Sequence, residues 1–225
     1  MSIETDTRAR LVAAAIRLLA DGGPGALQAR KVAAESGAST MAVYTYFGGM
    51  GALVEAVAHE GFRRLTANLD RVPRTDDPVA DIIAQGYAYR HTAVEHPNLY
   101  WVTFGLFTPG GQQAPEYAVT DASDAPNEAF GRLVHSAARA VEAGRFAPSE
   151  PELVAAQLWS GLHGYVTLEL SGHFGPGGQG VATVLGPFVA TLVVGLGDSP
   201  DAAGHSGKTA VETWRRITGD GLGMS

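Results

Sequence analysis

Thr40, Met41, Tyr44 and Thr45 follow one another at intervals of one, three and one. That spacing gathers side chains on one face of a helix. Hydroxyls on such a face donate to phosphates or base edges, and Thr and Met methyl groups can touch a thymine methyl. Tyr44 and Tyr46 are large side chains with polar tips, a type suited to phosphate contact. The other reading, a half-buried core aromatic, stays open for Tyr46. Gln28 and Arg30 begin the preceding short helix, where backbone N–H groups can meet phosphate. This is a chemistry of recognition rather than of turnover.

Residue types that could do other chemistry lack the required frames. His91, His96, His163 and His173 contain no i, i+4 pair, and no HExxH motif occurs, so no metal site is expected. Gly207-Lys208-Thr209 lacks the earlier glycine of a phosphate loop, since Ala202 stands there, and Pro200 falls where a strand should lead in. Ser160 has no Gly-x-Ser-x-Gly frame. Cysteine is absent, which excludes disulfides, thiolate metal sites and a cysteine nucleophile. No convergent acid, base or metal set is visible, so neither an enzyme nor a cofactor is expected. Tyr87, His91, Trp101, Phe104, Phe107, Trp159 and His163 together suggest a mostly apolar, aromatic effector pocket, with ordinary bundle core as the alternative for each.

The elements that would position these residues are all helical. Leu11, Ala15, Leu18 and Leu19 give one apolar face to a helix over 6–20, with Thr5, Asp6 and Thr7 as N-caps and Gly22-Gly23-Pro24 as its stop. Short helices follow at 28–36 and 40–47. Ala33 permits close approach, Gly37 supplies the turn, Ser39 caps the second helix and Val43 fixes it to the first. That is a helix-turn-helix. A longer helix runs from about Met50 to Leu69. After the connector Val72–Pro78, helices are expected at 78–95, 97–107, 125–144, 150–172 and 179–196. Thr108 to Pro126 reads as a long loop. Residues 198–207 look loose, and 209–217 adds at most a short helix with Val211 and Trp214 on one side. Val181 to Gly197 carries no charge but is too short and too polar for a membrane span. No signal peptide precedes Arg10, and a cytoplasmic location is expected.

Residues 8–57 resemble the DNA-binding segment of the TetR (tetracycline-repressor-like) family of transcriptional regulators. The carrying residues are Arg10 to Ala15, Arg30 to Ser39, Val43-Tyr44-Thr45-Tyr46-Phe47 and Leu53-Val54. The resemblance implies DNA contacts at Gln28, Arg30, Ser39, Thr40, Met41, Tyr44, Thr45 and Tyr46. Met50 departs from the family pattern, which usually has a phosphate-anchoring Lys at the start of the fourth helix. Leu27 stands where the family often has Thr. Glu95 to Tyr100 and Trp159-x-x-x-His163-Gly164-Tyr165 are similar to a subgroup marked by a Trp-His-Gly signature.

The expected fold is therefore all-α. A helix-turn-helix head over 1–48 leads through a connecting helix at 49–71 to a helical domain over 78–197 for ligand binding and dimerisation, with a tail at 198–225. The resemblance implies a homodimer sealed by the two last long helices, binding a double-stranded palindromic operator as a repressor and released by a small-molecule effector. Rival readings are a helical-bundle enzyme and a protein-interaction adaptor that binds no DNA. The net charge of -7 seems to oppose a DNA partner. Through Leu65, however, seven Arg and Lys face six Asp and Glu, a balance of +1, so -8 lies in the remainder. Few ionic phosphate contacts and a shallow salt dependence follow.

Overall fold

A computed structural model describes residues 3–106 and 125–219. All regular elements among the described residues are helical. In chain order they are α1 (Ile3–Gly22), α2 (Ala29–Ser36), α3 (Thr40–Phe47), α4 (Met50–Leu69), α5 (Pro78–Glu95), α6 (Pro97–Thr103), α7 (Ala125–Glu142), α8 (Pro151–Leu170), α9 (Gly186–Gly195) and α10 (Pro200–Thr218). One 3-10 turn, Pro24–Ala26, precedes α2, and a π-helical stretch, Val181–Leu185, leads into α9. No single helix among them is long and apolar enough to cross a membrane.

Two compact units form. The first takes the described residues up to Arg64 and those from Glu95 onward to Leu106; the second takes 65–94 and those from Ala125 onward. In the first unit the core gathers Leu11, Ala15 and Leu19 of α1 with Val32, Val43, Phe47, Leu53 and Val57, all buried. Leu99 and Val102 of α6 join this same core. The Asn98 amide nitrogen ties α6 to α1 by donating to the Leu19 carbonyl at 2.9 Å. Arg10 donates to the Ser36 carbonyl at 2.6 Å, and Arg17 pairs with Glu35 at 2.7 Å, so α1 also grips the far end of α2. The close meeting of α4 and α6 depends on Gly61, where an added Cβ would lie 1.9 Å from Thr103 Oγ1.

In the second unit α5 is enclosed on most sides, burying Val79, Ile82, Ile83, Ala88 and Tyr89 together with the charged Asp81 and Arg90. Buried charges need partners, and both have them. Arg90 makes a bidentate pair with Glu169 of α8 at 2.8 and 2.7 Å, each side chain under a tenth exposed. Arg139 of α7 pairs with Asp81 at 2.7 Å. A third cluster ties α10 in place. Arg145 reaches both oxygens of Asp198 at 2.8 and 2.7 Å and Asp77 at 3.0 Å, while the Ser206 hydroxyl donates to Asp77 at 2.7 Å. Asp77 also accepts from the Val79 and Ala80 N–H groups at the start of α5. Burial works against the Asp77 carboxylate, but the Ser206 hydroxyl, the Ala80 N–H and Arg145 outweigh it and hold its pKa below the usual value.

Several elements depart from the sequence reading. Of residues 198–207, read as loose, all from Pro200 onward belong to α10, a 19-residue helix that buries Ala203, Ser206, Ala210, Thr213 and Trp214. Its start is built by Ser199, whose hydroxyl accepts from the Ala202 N–H, with Pro200 in the first turn; Gly219 at φ 71° ends it. Gly207-Lys208-Thr209 thus lies inside a helix, where no loop exists to cradle a phosphate. Because α1 starts at Ile3, Thr5, Asp6 and Thr7 lie inside it rather than capping it. The uncharged 181–197 stretch is buried in this chain along one side, through Val181, Leu185 and Val193, while Ala182, Thr183, Pro187, Ala190 and Thr191 are exposed. Phe107 and most of the expected 108–126 loop lie outside the described residues.

Candidate nucleic-acid interface and effector cluster

The turn between α2 and α3 is set by Gly37, whose φ of 68° and ψ of 24° are left-handed, a conformation costly for residues with a Cβ. Its N–H closes α2 on the carbonyls of Ala33 and Ala34. Val43, fully buried, and Phe47 anchor α3 in the core. What α3 leaves outward is Thr40, Met41, Tyr44 and Thr45, all exposed, with Met41 at 68% and Tyr44 at 51%. Met41 and Tyr44 thus place apolar and aromatic surface in solvent beside two hydroxyls.

Ser39 takes the N-cap position of α3 without a side-chain cap bond. Its backbone carbonyl instead accepts from the Ala42 N–H at 2.9 Å. The exposed hydroxyl is therefore spared for an outside partner, which corrects the expectation of a hydroxyl cap. Gln28, the N-cap of α2, is exposed, as are Arg30 and Lys31 in its first turn. Tyr46 sits apart from this stripe: it is half-buried and packs on the head core. Met50 does the same, so the residue standing where a lysine is usual fills core space rather than reaching into solvent.

The aromatic candidates separate. Phe104 and Trp101 lie in the first unit, Phe104 against Phe62 with ring centroids 5.1 Å apart and against Tyr100 at 4.8 Å, Trp101 against Tyr100 at 5.8 Å. Tyr87, His91, Trp159 and His163 lie in the second. His91 stacks edge-on against Trp214 of α10 at 5.4 Å. Trp159 and His163 meet at 5.9 Å, and Phe130 of α7 packs on Trp159 at 5.9 Å.

Tyr89, a residue the sequence reading passed over, holds this last group together. Trp159 Nε1 lies 3.4 Å from the Tyr89 hydroxyl, which lies 2.8 Å from His163 Nδ1. The indole can only donate. The phenol and Nδ1 share one hydrogen bond, its direction set by the imidazole tautomer. Burial holds the His163 pKa below its usual value, so the ring is neutral at pH 7 and offers the relay one donor and one acceptor nitrogen. Nearby, Tyr165 stacks on Phe174 at 5.0 Å, and burial together with the Glu169 carboxylate pushes its hydroxyl up to about 12. The sequence signal for this region was the isolated charge of Glu169 between Leu168 and Leu170, which demanded a cation from elsewhere in the fold.

Two family models match the chain and together cover more than half of it. One, described as bacterial regulatory proteins of the tetR family, matches residues 11–57. The other, the tetracyclin repressor-like C-terminal domain, matches 82–191. No curated protein matches the chain. Among solved structures, a protein of unknown function from Rhodococcus sp. RHA1 is 28% identical with a TM-score of 0.68, over 84% of this chain and 95% of that one. RolR in complex with resorcinol is 19% identical with a TM-score of 0.64, over 92% and 94%. TylP, a TetR regulator from Streptomyces fradiae, is 16% identical with a TM-score of 0.63, over 96% and 100%.

Proposed function

The chain belongs to the TetR family and is a DNA-binding transcriptional regulator, and from that premise we propose that it acts as a cytoplasmic, non-enzymatic homodimeric repressor released from a palindromic operator by a small aromatic effector. The observation that carries the DNA half of this reading is the exposed set Thr40, Met41, Tyr44 and Thr45 on a helix anchored from behind by Val43 and Phe47. Ser39, Gln28 and Arg30 flank that set as phosphate partners, and two such heads would enter successive major grooves. The half-buried Tyr46 contributes through the packing of α3.

The homodimer rests on faces that one chain leaves uncovered. Along α8, Leu153, Gln157, Ser160, Gly164 and Leu168 are exposed at intervals of four, three, four and four, an uncharged stripe. On α9 the exposed residues are likewise small and uncharged. A second copy laying the same helices against these forms a four-helix seal. For the effector, the Tyr89–His163–Trp159 relay with Phe130 offers aromatic walls and polarised hydrogen-bonding atoms, which suits an aromatic ligand with a hydroxyl, the class to which the resorcinol held by RolR belongs. Release requires the effector to bind the DNA-incompetent arrangement more tightly than the competent one.

The test is a selection of genomic DNA fragments on the purified protein, followed by titration of the recovered operator. Tyr44→Ala should weaken binding by about tenfold or more while the dimer stays intact. Unchanged binding in a gel-shift titration would remove Tyr44 from the interface, and recovery of no fragment would refute the regulator reading of this surface.

A further inference from the structure

A cleft of about 330 Å³ opens in the second unit, between the connector before α5, α5 itself and α7. It is separate from the relay of Tyr89, Trp159 and His163, none of which lines it. Arg74 Nη1 lies 3.5 Å from His135 Nε2 at its wall. At that distance the guanidinium makes at most a long hydrogen bond to a neutral imidazole, one that leaves the remaining guanidinium N–H groups and the imidazole Nδ1–H to donate elsewhere, and neither group pairs with a carboxylate among the described residues. The neighbouring acids are already engaged. Both oxygens of Asp70 hold Arg132, at 2.5 and 2.9 Å. Asp81 holds Arg139 and accepts from the Thr75 N–H and hydroxyl. Arg139 is further occupied by the Thr75 carbonyl. Glu128, exposed at the rim, is left to face Arg132.

Ser136 supplies a third observation. It lines the cleft and is 3% exposed, and its oxygen accepts from the Gln85 amide at 2.9 Å. Its own hydrogen finds no acceptor among the described residues. A buried donor left without an acceptor carries a desolvation cost unless something supplies the missing oxygen. Arg74, His135 and Ser136 are thus three donors around one cleft, and what they lack in common is an acceptor with negative charge.

We propose that this cleft binds a small oxyanion, the head group of a carboxylate- or phosphate-bearing metabolite, between Arg74 and His135 with the Ser136 hydroxyl as a third donor. The volume equals that of on the order of ten waters, enough for a tricarboxylate or a sugar phosphate and too little for a polymer. The connector that brings Arg74 is also the segment through which α4 leads into α5, so occupancy would fix the backbone there.

The probes are inorganic phosphate and citrate, each titrated calorimetrically into the full-length protein at constant ionic strength, with chloride as the balancing anion. Saturable binding of either probe, weakened about tenfold or more by Arg74→Ala and by His135→Ala, is the expected result. Phosphate alone, citrate alone or both would assign the ligand to one source or to the shared chemistry. Both substituted residues are exposed, and thermal melts should show the variants folded; Ser136→Ala gives a third reading. Absence of saturation by both probes up to about 10 mM, or affinity within about twofold in both exposed-residue variants, overturns the proposal. Operator binding without added anion should be the same in Arg74→Ala and the unaltered protein, so failure here leaves the regulator reading standing.

Discussion

Replacing Gly61 with alanine tests how the head is built. Helix propensity alone favours the change by about 1 kcal/mol, because glycine is a poor helix former. The packing says the opposite. The new Cβ would lie 1.9 Å from Thr103 Oγ1, 3.2 Å from its Cγ2 and 3.0 Å from its Cβ. Rotating Thr103 about χ1 can move the first two atoms but not the Cβ, and carbon atoms rest about 3.5–4.0 Å apart. Rotation also disturbs the bond from Thr103 Oγ1 to the Leu99 carbonyl, 2.8 Å long and buried. Overpacking of this kind costs about 1–3 kcal/mol, and the weakened hydrogen bond adds about 1. Net destabilisation of about 1–3 kcal/mol is therefore expected after the propensity gain is set against it. Urea denaturation followed by circular dichroism measures it. Thr103→Ala removes the hydroxyl and methyl contacts and leaves the 3.0 Å approach. The double variant should therefore recover at least about 1 kcal/mol relative to the sum of the single changes. A Gly61→Ala protein as stable as the parent, or strictly additive changes, would refute the close packing of α4 and α6.

Three further outcomes are expected. A chain ending at Gly197 should lose about 3 kcal/mol or more in a thermal or urea melt, because Arg145 loses Asp198 and Ser206, and His91 loses Trp214; a melt unchanged by the truncation would mean that α10 is only a tail. Leu168→Glu should shift the light-scattering mass from two chains to one, since a charge on the exposed α8 stripe cannot be buried unpaired, and a persisting dimer would move the seal elsewhere. The folded pKa of His163 is depressed. Its contribution to stability is therefore complete above the unfolded value of about 6.5 and fades as pH falls below it. His163→Gln should flatten the pH 7 to 5 portion of the stability curve, and an identical slope in parent and variant would detach the loss from this ring.

Local chemistry explains why the head was readable. Each of Val32, Ala33, Gly37 and Val43 answers a requirement made within a few residues: burial, close approach, a left-handed turn, an anchor. The places where reading fell short depend on distant partners. Leu99 and Val102 follow the same apolar logic in any bundle, and only their meeting with α1, some 80 residues earlier and marked by Asn98 on Leu19, assigns them to the head. Tyr87 and Tyr89 sit on nearly opposite faces of one helix, and the choice between them belongs to α8, which presents Trp159 and His163. Helix α10 was hidden by Gly204, Gly207 and a polar surface, although Ser199-Pro200-Asp201 carries an ordinary start signal. Its hold on the body comes through Asp198 and Ser206, polar groups whose value appears only beside Arg145 and Asp77.

Most of the head's cations are spoken for by the head itself. Arg8 lies over the Phe47 ring at 4.8 Å, Arg10 holds the Ser36 carbonyl, Arg17 holds Glu35, and Arg63 and Arg64 share Glu60. Arg30 and Lys31 are left uncommitted among the described residues. Attraction to arbitrary chromosomal sequence comes almost wholly from displaced counterions, and two such charges per head displace few. On the proposed reading the chromosome would be a poor sink for this protein, leaving a larger share of its molecules free to search. Occupancy of one site among millions is a ratio of specific to non-specific binding, so a head lean in charge and rich in hydroxyls can hold its operator with a small number of copies in the cell.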